Sequence, residues 1–118
     1  MREKIKNYSG GGVPITDEEL VHNAVALAAS ATSANAFVDV ERFSQAVVLI
    51  DMNQNFTVTF HLSNNNTDSY ELDQKTAQAA GKRAYVVNVK GAKYLNVTVT
   101  NGTASAATLS TRVMLATG

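Results

Sequence analysis

Two histidines, His22 and His61, are the side chains of this sequence whose ordinary pKa lies near neutrality. His61 stands between Phe60 and Leu62 on the polar phase of an alternating stretch, where a solvated surface residue is expected. The chain has no cysteine, and no pair of histidines at a ligand spacing accompanies either residue. The sequence therefore predicts neither a metal centre nor histidine-based catalysis.

Hydroxyl and glycine patterns lack the companions that catalysis or nucleotide binding requires. Serines are frequent, but the Gly-x-Ser-x-Gly turn is absent, and a serine without an adjacent base has no means of activation. The glycines at 10–12 have no preceding strand and no Lys-Ser or Lys-Thr, so they do not form a phosphate loop. We therefore expect a protein that is not an enzyme and holds no cofactor.

One segment imitates a calcium-binding loop. From Asp51 onward, oxygen-bearing side chains occupy the first, third and fifth positions of an EF-hand pattern. The sixth position of that pattern needs a glycine and the twelfth a bidentate glutamate, whereas this chain has Phe56 and Leu62 there. The segment is better interpreted as a turn between two strands.

Length and charge limit the class of protein and its partners. A chain of 118 residues fits one domain. Its ten basic and ten acidic residues cancel, which disfavours binding to nucleic acid or to an anionic membrane. The longest apolar runs, residues 24–29 and 46–50, are far too short to span a bilayer, and no apolar stretch follows the basic N-terminus. We expect a soluble protein made in the cytoplasm without a signal peptide.

β-strands are the elements that would position any site. Apolar and polar residues alternate with period two over residues 56–62 and 95–100, as in half-buried strands. Residues 46–50 form a continuous apolar run, which suits either a strand covered on both faces or the middle of a sandwich. Turn residues recur between such segments about every ten positions. This pattern favours an all-β fold, a two-sheet antiparallel β-sandwich of the jelly-roll or immunoglobulin-like kind.

The same alternation predicts which side chains form the core and which lie on the strand surfaces. The polar phases are uncharged, so they either face water or make a flat contact with a neighbouring subunit. They comprise Thr57, Thr59, Asn96, Thr98 and Thr100. The predicted core consists of Val25, Leu27, Val38, Val40, Val47, Leu49, Phe56, Val58, Phe60, Leu62, Tyr85, Val87, Val89, Leu95, Val97, Val99, Leu109, Val113 and Leu115.

Two segments allow more than one structure. Residues 16–19 match a capping box, which predicts a short helical turn. Beyond them both the helical and the strand period fit, and we favour a strand over residues 21–29 because a Ser- and Thr-rich turn follows. Within residues 70–81, the stretch 76–80 is either a helical turn or an irregular edge.

The N-terminal residues differ from the rest of the chain. The three consecutive glycines at 10–12 disfavour regular structure, so we divide the chain into a flexible arm, residues 1–16, and a β-sandwich domain, residues 17–118. The arm is either a disordered tail or a segment that orders on a partner. Its basic side chains suit an acidic surface and its apolar ones provide small anchors. The candidate partner-binding residues are Arg2, Lys4, Ile5, Lys6 and Tyr8.

Several segments resemble small jelly-roll or immunoglobulin-like sandwich modules of tailed-bacteriophage virions. They are AVALAASATS at 24–33, FVDV at 37–40, FSQAVVLI at 43–50, FTVTFHLSN at 56–64 and AKYLNVTVTN at 92–101. The resemblance extends over roughly residues 20–116 and implies a structural protein of the virion, above all a head decoration or cement protein. Such proteins commonly act as oligomers on a capsid lattice, often as trimers. The pattern defines strands and no site, so no functional residue is carried over.

Together these observations predict a non-enzymatic capsid decoration protein that is made in the host cytoplasm and resides in the virion. Its partners would be the major capsid protein or another virion protein. We also expect a homo-oligomer, because strand faces of Thr and Asn do little to repel other copies. The alternatives are a tail or fibre accessory protein and a glycan- or host-surface-binding module that displays loops 64–69 and 90–93. With no tryptophan, four tyrosines and four phenylalanines, the chain offers few platforms for sugar stacking.

Overall fold

The structure, a computed structural model, describes residues 16–65 and 67–117, and all regular elements in these ranges are strands. None of the described segments is a helix long and apolar enough to cross a membrane. The eight strands are β1 (Thr16–Leu27), β2 (Phe37–Asp39), β3 (Gln45–Met52), β4 (Phe56–Ser63), β5 (Tyr70–Gln78), β6 (Gly81–Asn88), β7 (Tyr94–Asn101) and β8 (Ala107–Ala116).

The strands form two four-stranded antiparallel sheets. Sheet A has the order β1-β8-β3-β6 and sheet B the order β2-β7-β4-β5. Interleaved crossovers of this kind are those of a jelly roll, which combines two Greek keys in a sandwich. The predicted two-sheet antiparallel β-sandwich is therefore confirmed, and of the two kinds considered the strand order is that of the jelly roll.

The core lies between the inner faces of the two sheets. Phe56, Val58 and Phe60 of β4 point inward from sheet B, and Ile50 and Met52 of β3 point inward from sheet A. The Phe60 ring also contacts the Tyr85 ring, at 5.7 Å between centroids. Burying each such side chain contributes roughly 1.5–3 kcal/mol before entropic costs, so the two sheets are held together without disulfides.

The predicted core phase of β3 is wrong. Val47 and Leu49 were assigned to the core, but they are half-buried on the outer face, whereas Val48 and Ile50 are fully buried. A continuous apolar run fits either phase, and among the described residues sheet A is covered on its inner face alone. Val25 is likewise half-buried, because it belongs to an irregular edge strand.

The predicted helical turn at residues 16–19 is also wrong. Thr16 already pairs with Ala116, and β1 continues from there to Leu27. Pairing with β8 satisfies the backbone groups that a helix would have satisfied locally. The strand expected over residues 21–29 is confirmed as far as Leu27. Of the two alternatives for residues 76–80, the irregular edge is present, because β5 carries register shifts and Ala77 has a φ of 54°.

Candidate interaction surface

His22 lies between the two sheets and acts as a structural link. Its Nδ1 is 3.0 Å from Thr111 Oγ1 on β8, and its Nε2 is 3.5 Å from the carbonyl oxygen of Ala34. In the neutral tautomer that carries its proton on Nε2, Nε2 donates to the Ala34 carbonyl and Nδ1 accepts from the Thr111 hydroxyl. Burial lowers the pKa of His22 below its ordinary value, an effect that the bond to Ala34 partly opposes.

We expect the His22→Gln variant to lose part of the acid sensitivity of the fold. The unfolded chain binds a proton on this ring at a higher pH than the folded chain, so protonation favours unfolding. The contribution of neutral His22 is fully present above pH 6.5 and is lost as the pH falls below that value toward the lowered pKa. Thermal unfolding between about pH 7 and pH 5.5 should show a steeper loss for the wild type than for the variant. Equal slopes would contradict this assignment.

His61 lies on the outer face of sheet B, opposite Asn96 of β7. Its Nδ1 is buried and has no hydrogen-bond partner. The Asn96 amide is occupied elsewhere, because its Nδ2 donates to Asn35 Oδ1 at 2.9 Å and its Oδ1 accepts from the Ala36 amide at 3.0 Å. Within residues 16–65 and 67–117, no three His, Asp or Glu side chains come close enough to hold a metal ion.

The outer face of sheet B is a surface of hydroxyl and amide groups, some of which are hydrogen-bonded within the chain. Gln74 of β5 donates to Thr59 Oγ1 at 3.0 Å, and the hydroxyls of Thr32 and Thr100 are 2.7 Å apart. Thr59 and Thr98 are buried rather than solvated. Three residues of the polar strand phases, Thr59, Asn96 and Thr100, therefore make side-chain hydrogen bonds within the chain.

The outer face of sheet A is apolar and exposed. Across the sheet, Val86 of β6 lies opposite Val47 of β3, which lies opposite Met114 of β8. Val86 is 68% exposed and Met114 46%. In the next row, Leu49 of β3 lies between Ala84 of β6 and Arg112 of β8, and Leu20 of β1 lies on the other side of Arg112. We call the exposed and half-buried apolar side chains of these two rows the apolar face, which comprises Leu20, Val47, Leu49, Ala84, Val86 and Met114.

One charged pair lies within these two rows and one lies beside them. Arg112 of β8 is opposite both Leu20 and Leu49, and Glu18 is opposite Met114, whereas Asp51 and Lys82 form the next row along β3 and β6. Arg112 contacts Glu18 at 3.1 Å, and Lys82 contacts Asp51 at 2.8 Å. All four side chains are more than half exposed, so these pairs contribute little to stability. The surface therefore combines exposed apolar side chains with an arginine, and both Met and Arg are enriched in protein–protein interfaces.

A hollow lies at one end of the sandwich, where the loops that follow β4 and β6 meet. The Lys93 amide donates to the Ser63 carbonyl at 3.2 Å, which holds the two loops together. Tyr70, at the start of β5, is 72% exposed beside them. The hollow measures about 270 Å³, and its lining includes Asn64, Tyr70 and Lys90.

The candidate residues of the N-terminal arm fall outside the described part of the chain. They are Arg2, Lys4, Ile5, Lys6 and Tyr8. Their role in partner binding stays a prediction. The apolar face was missed by sequence reasoning because its central residues, Val47 and Leu49, were assigned to the core. The sequence feature that indicates this surface is the uninterrupted apolar run at 46–50. A strand with such a run has apolar side chains on both faces, and only one of them can pack against the core.

No protein-family model and no curated protein matches this sequence. Solved structures do match. The SPBc2 prophage-derived protein YomS aligns with 92% of this chain and 99% of its own at 11% identity, with a TM-score of 0.68. A structure described as Bacillus endospore appendages that form disulfide-linked pili aligns with 98% of each chain at 13% identity and 0.53. A structure of infectious bursal disease virus, strain Gx, aligns with 88% of this chain and 32% of its own at 8% identity and 0.51.

At such low sequence identities, the matches to solved structures show that the chains share a fold. They extend over nearly all of the described sandwich, and one of them belongs to a prophage-derived protein. The β-sandwich part of the resemblance to phage proteins is therefore supported.

Proposed function

We propose that this chain is a non-enzymatic structural protein of a phage virion that decorates and stabilises the capsid by binding a repeating protein surface. The apolar face of sheet A carries this proposal. Monomeric proteins rarely expose contiguous apolar patches of large size, and such patches mark sites of protein interaction. Here the six side chains of the apolar face share one side of a sheet with the Arg112–Glu18 pair, and the Lys82–Asp51 pair lies beside them.

The geometry of the surface suits a lattice better than a small ligand. A four-stranded sheet offers many shallow contacts, and repeated weak contacts gain strength through avidity when the partner is itself repeated. The described likenesses to a prophage-derived protein and to subunits of spore pili support a role in assembly. The partner on this proposal is the major capsid protein or another protein of the virion.

Replacing Met114 by lysine is expected to abolish attachment to capsid particles. Met114 lies on the outer face of β8, which is an inner strand of sheet A, so a charge there must be desolvated on docking. The cost is several kcal/mol, which corresponds to a loss of about 100-fold or more in affinity. The measurement is cosedimentation of purified protein with heads of the encoding phage that lack it.

The matched control is Thr76→Lys, which adds the same charge at an exposed position of sheet B and should leave attachment unchanged. Wild-type protein that fails to cosediment with such heads would contradict the decoration role. Equal binding by the Met114→Lys variant, with its melting temperature retained, would show that the apolar face is not the docking surface.

A second function is favoured by one observation, the exposed Tyr70 ring beside the hollow at the loop end. An aromatic ring together with the amide of Asn64 and the ammonium of Lys90 offers an apolar platform and polar groups, the combination that orients a small ligand. A glycan or host-surface module is therefore the alternative. Binding of wild-type protein on a glycan array, without affinity for heads, would place this alternative first.

A further inference from the structure

Each of the two sheets ends in strands whose outer backbone groups have no partner in a sheet, and most of these edges are protected. β1 carries two register shifts, around His22, and exposed acids at its start. β2 is three residues long. β5 has two register shifts and charged side chains at Glu71, Asp73 and Lys75. Bulges, short length and charge are the devices that prevent a sheet edge from pairing with another chain.

β6 has the fewest of these devices among the described edge strands, because its charged side chains, Lys82 and Arg83, are confined to its start. Its register with β3 is continuous from Gln45↔Asn88 to Met52↔Gly81, without a bulge. After Lys82 and Arg83 its side chains are uncharged, and Val86 is the most exposed large apolar residue of sheet A. A long, regular and apolar edge is a template for strand addition.

The ladder with β3 determines which amides of β6 point outward. The Val89 amide donates to the Ser44 carbonyl at 3.1 Å, directly before the first pair of the ladder. In an antiparallel pair the hydrogen-bonded positions alternate, so the amides at 83, 85 and 87 face β3. The amides at 82, 84, 86 and 88 therefore face away from sheet A, where a further strand would lie.

We propose that β6 pairs with β6 of a second copy of this chain, antiparallel about a two-fold axis at Tyr85. Ala84 of one copy then lies opposite Val86 of the other, and Lys82 lies opposite Asn88. The outward amides at these four positions find carbonyl partners, which gives about eight main-chain hydrogen bonds across the axis. An isologous contact of this kind is self-complementary, as closed dimers require.

Neighbouring registers are less favourable. A shift by one residue would place side chains of the outer face opposite side chains of the inner face. A shift by two in one direction places Lys82 opposite Lys90 of the other copy, and like charges directly opposite destabilise a pair. A shift by two in the other direction requires the Ala80 amide, which already donates to Asn55 Oδ1 at 3.0 Å. The register centred on Tyr85 uses every outward amide and opposes no like charges.

The dimer joins two copies of sheet A into one eight-stranded sheet. Because the axis is perpendicular to the sheet, the two apolar faces lie on the same side and meet at Ala84 and Val86 of each copy. The pairing goes beyond the proposed function and does not depend on it, since it follows from the edge and not from what the apolar face binds.

The test is the effect of Val86→Pro on the self-association of the full chain, measured by sedimentation velocity. Proline at this position removes an outward amide and leaves the ladder with β3 complete, a substitution that edge strands tolerate. The wild type should sediment as a dimer or a larger assembly built from dimers. The variant should weaken association by about 100-fold or more while its circular dichroism is unchanged.

Ala84→Pro removes a second outward amide and should act in the same way, so the test survives if one variant fails to fold. Val86→Thr keeps the amide and changes only the side chain, and it should still dimerise. Wild-type protein that is monomeric at millimolar concentration would overturn the proposal. So would folded proline variants that dimerise as the wild type does, or a Val86→Thr variant that dissociates as the proline variants do.

A crosslink can place the axis itself. The chain has no cysteine, so one introduced thiol reports on one position. Tyr85→Cys would bring two thiols together at a pair whose Cα atoms are about 4.5 Å apart, within disulfide range. In Ala84→Cys the two thiols would lie on residues offset by two positions along the strands, roughly 7 Å, in addition to the distance between the two paired strands. We expect rapid oxidation to a covalent dimer for Tyr85→Cys alone; equal or faster crosslinking of Ala84→Cys would overturn the register.

Discussion

Replacing Ile50 by alanine is expected to lower the free energy of unfolding by about 2–5 kcal/mol, whereas replacing the adjacent Leu49 should lower it by about 1 kcal/mol. Ile50 is fully buried between the sheets, so its truncation removes buried apolar surface and leaves a cavity. Leu49 lies on the outer face and is half solvated in the folded protein. The two changes remove similar side chains at neighbouring positions, which makes each the control for the other.

Urea denaturation followed by circular dichroism would measure both losses, provided that the slope of the transition stays the same. A domain of this size has a total stability of about 5–15 kcal/mol, so the Ile50 variant would lose a large fraction of it. Equal losses would mean that β3 is covered on both faces, one of the two arrangements that the sequence alone suggested. A larger loss for Leu49 would reverse the inner and outer faces of sheet A.

Replacing Asn101 by alanine should destabilise the domain by about 2–5 kcal/mol, because it removes buried hydrogen bonds rather than hydrophobic contacts. Its Nδ2 donates to the carbonyls of Leu27, Ala28 and Ser105, at 3.3, 3.2 and 2.7 Å. Its Oδ1 accepts from the amide and the hydroxyl of Thr103. The residue is 1% exposed, so these partners cannot all turn to water when the side chain is removed.

The Asn101→Asp variant tests the Nδ2 donor by itself, because aspartate has nearly the same shape as asparagine but lacks that donor. At neutral pH the carboxylate keeps the acceptor but presents a second oxygen to three carbonyls, so it should be at least as destabilising as alanine. Asn23→Ala, at an exposed position of β1, is the control and should change stability by less than about 0.5 kcal/mol. A tolerated Asn101→Ala would show that the ends of β1 and β7 are held by their backbone pairing alone.

Two strands of sheet B were predictable because apolar side chains on their inner face alternate with polar side chains on their outer face. Residues 56–62 and 95–100 alternate strictly, and they appear as β4 and β7, the two inner strands of sheet B. The phase of β3 was not predictable, since Val47 and Val48 are equally apolar and only the position of the second sheet decides between them. β1 was ambiguous for a related reason. Its capping-box pattern is local, whereas the pairing of Thr16 with Ala116 spans the whole domain.

The candidate surfaces depend on strand order, which no local pattern encodes. The loops that contain Asn64 and Lys90 were each identified in the sequence, but their contact through Ser63 and Lys93 is a product of the crossover between the sheets. In the same way, nothing in the residues of β6 marks it as an edge. It is an edge because β3 pairs with β8 on its other side.

The place of β8 within sheet A has a kinetic consequence. The last strand lies between β1 and β3, so the first strand has no neighbour in its sheet until the end of the domain has been synthesised. Closing the pair between Thr16 and Ala116 must overcome the loop entropy of nearly the full domain before any contact repays it. Folding should therefore follow synthesis rather than accompany it, and should take about milliseconds to seconds, as in other sandwiches dominated by distant strand pairs.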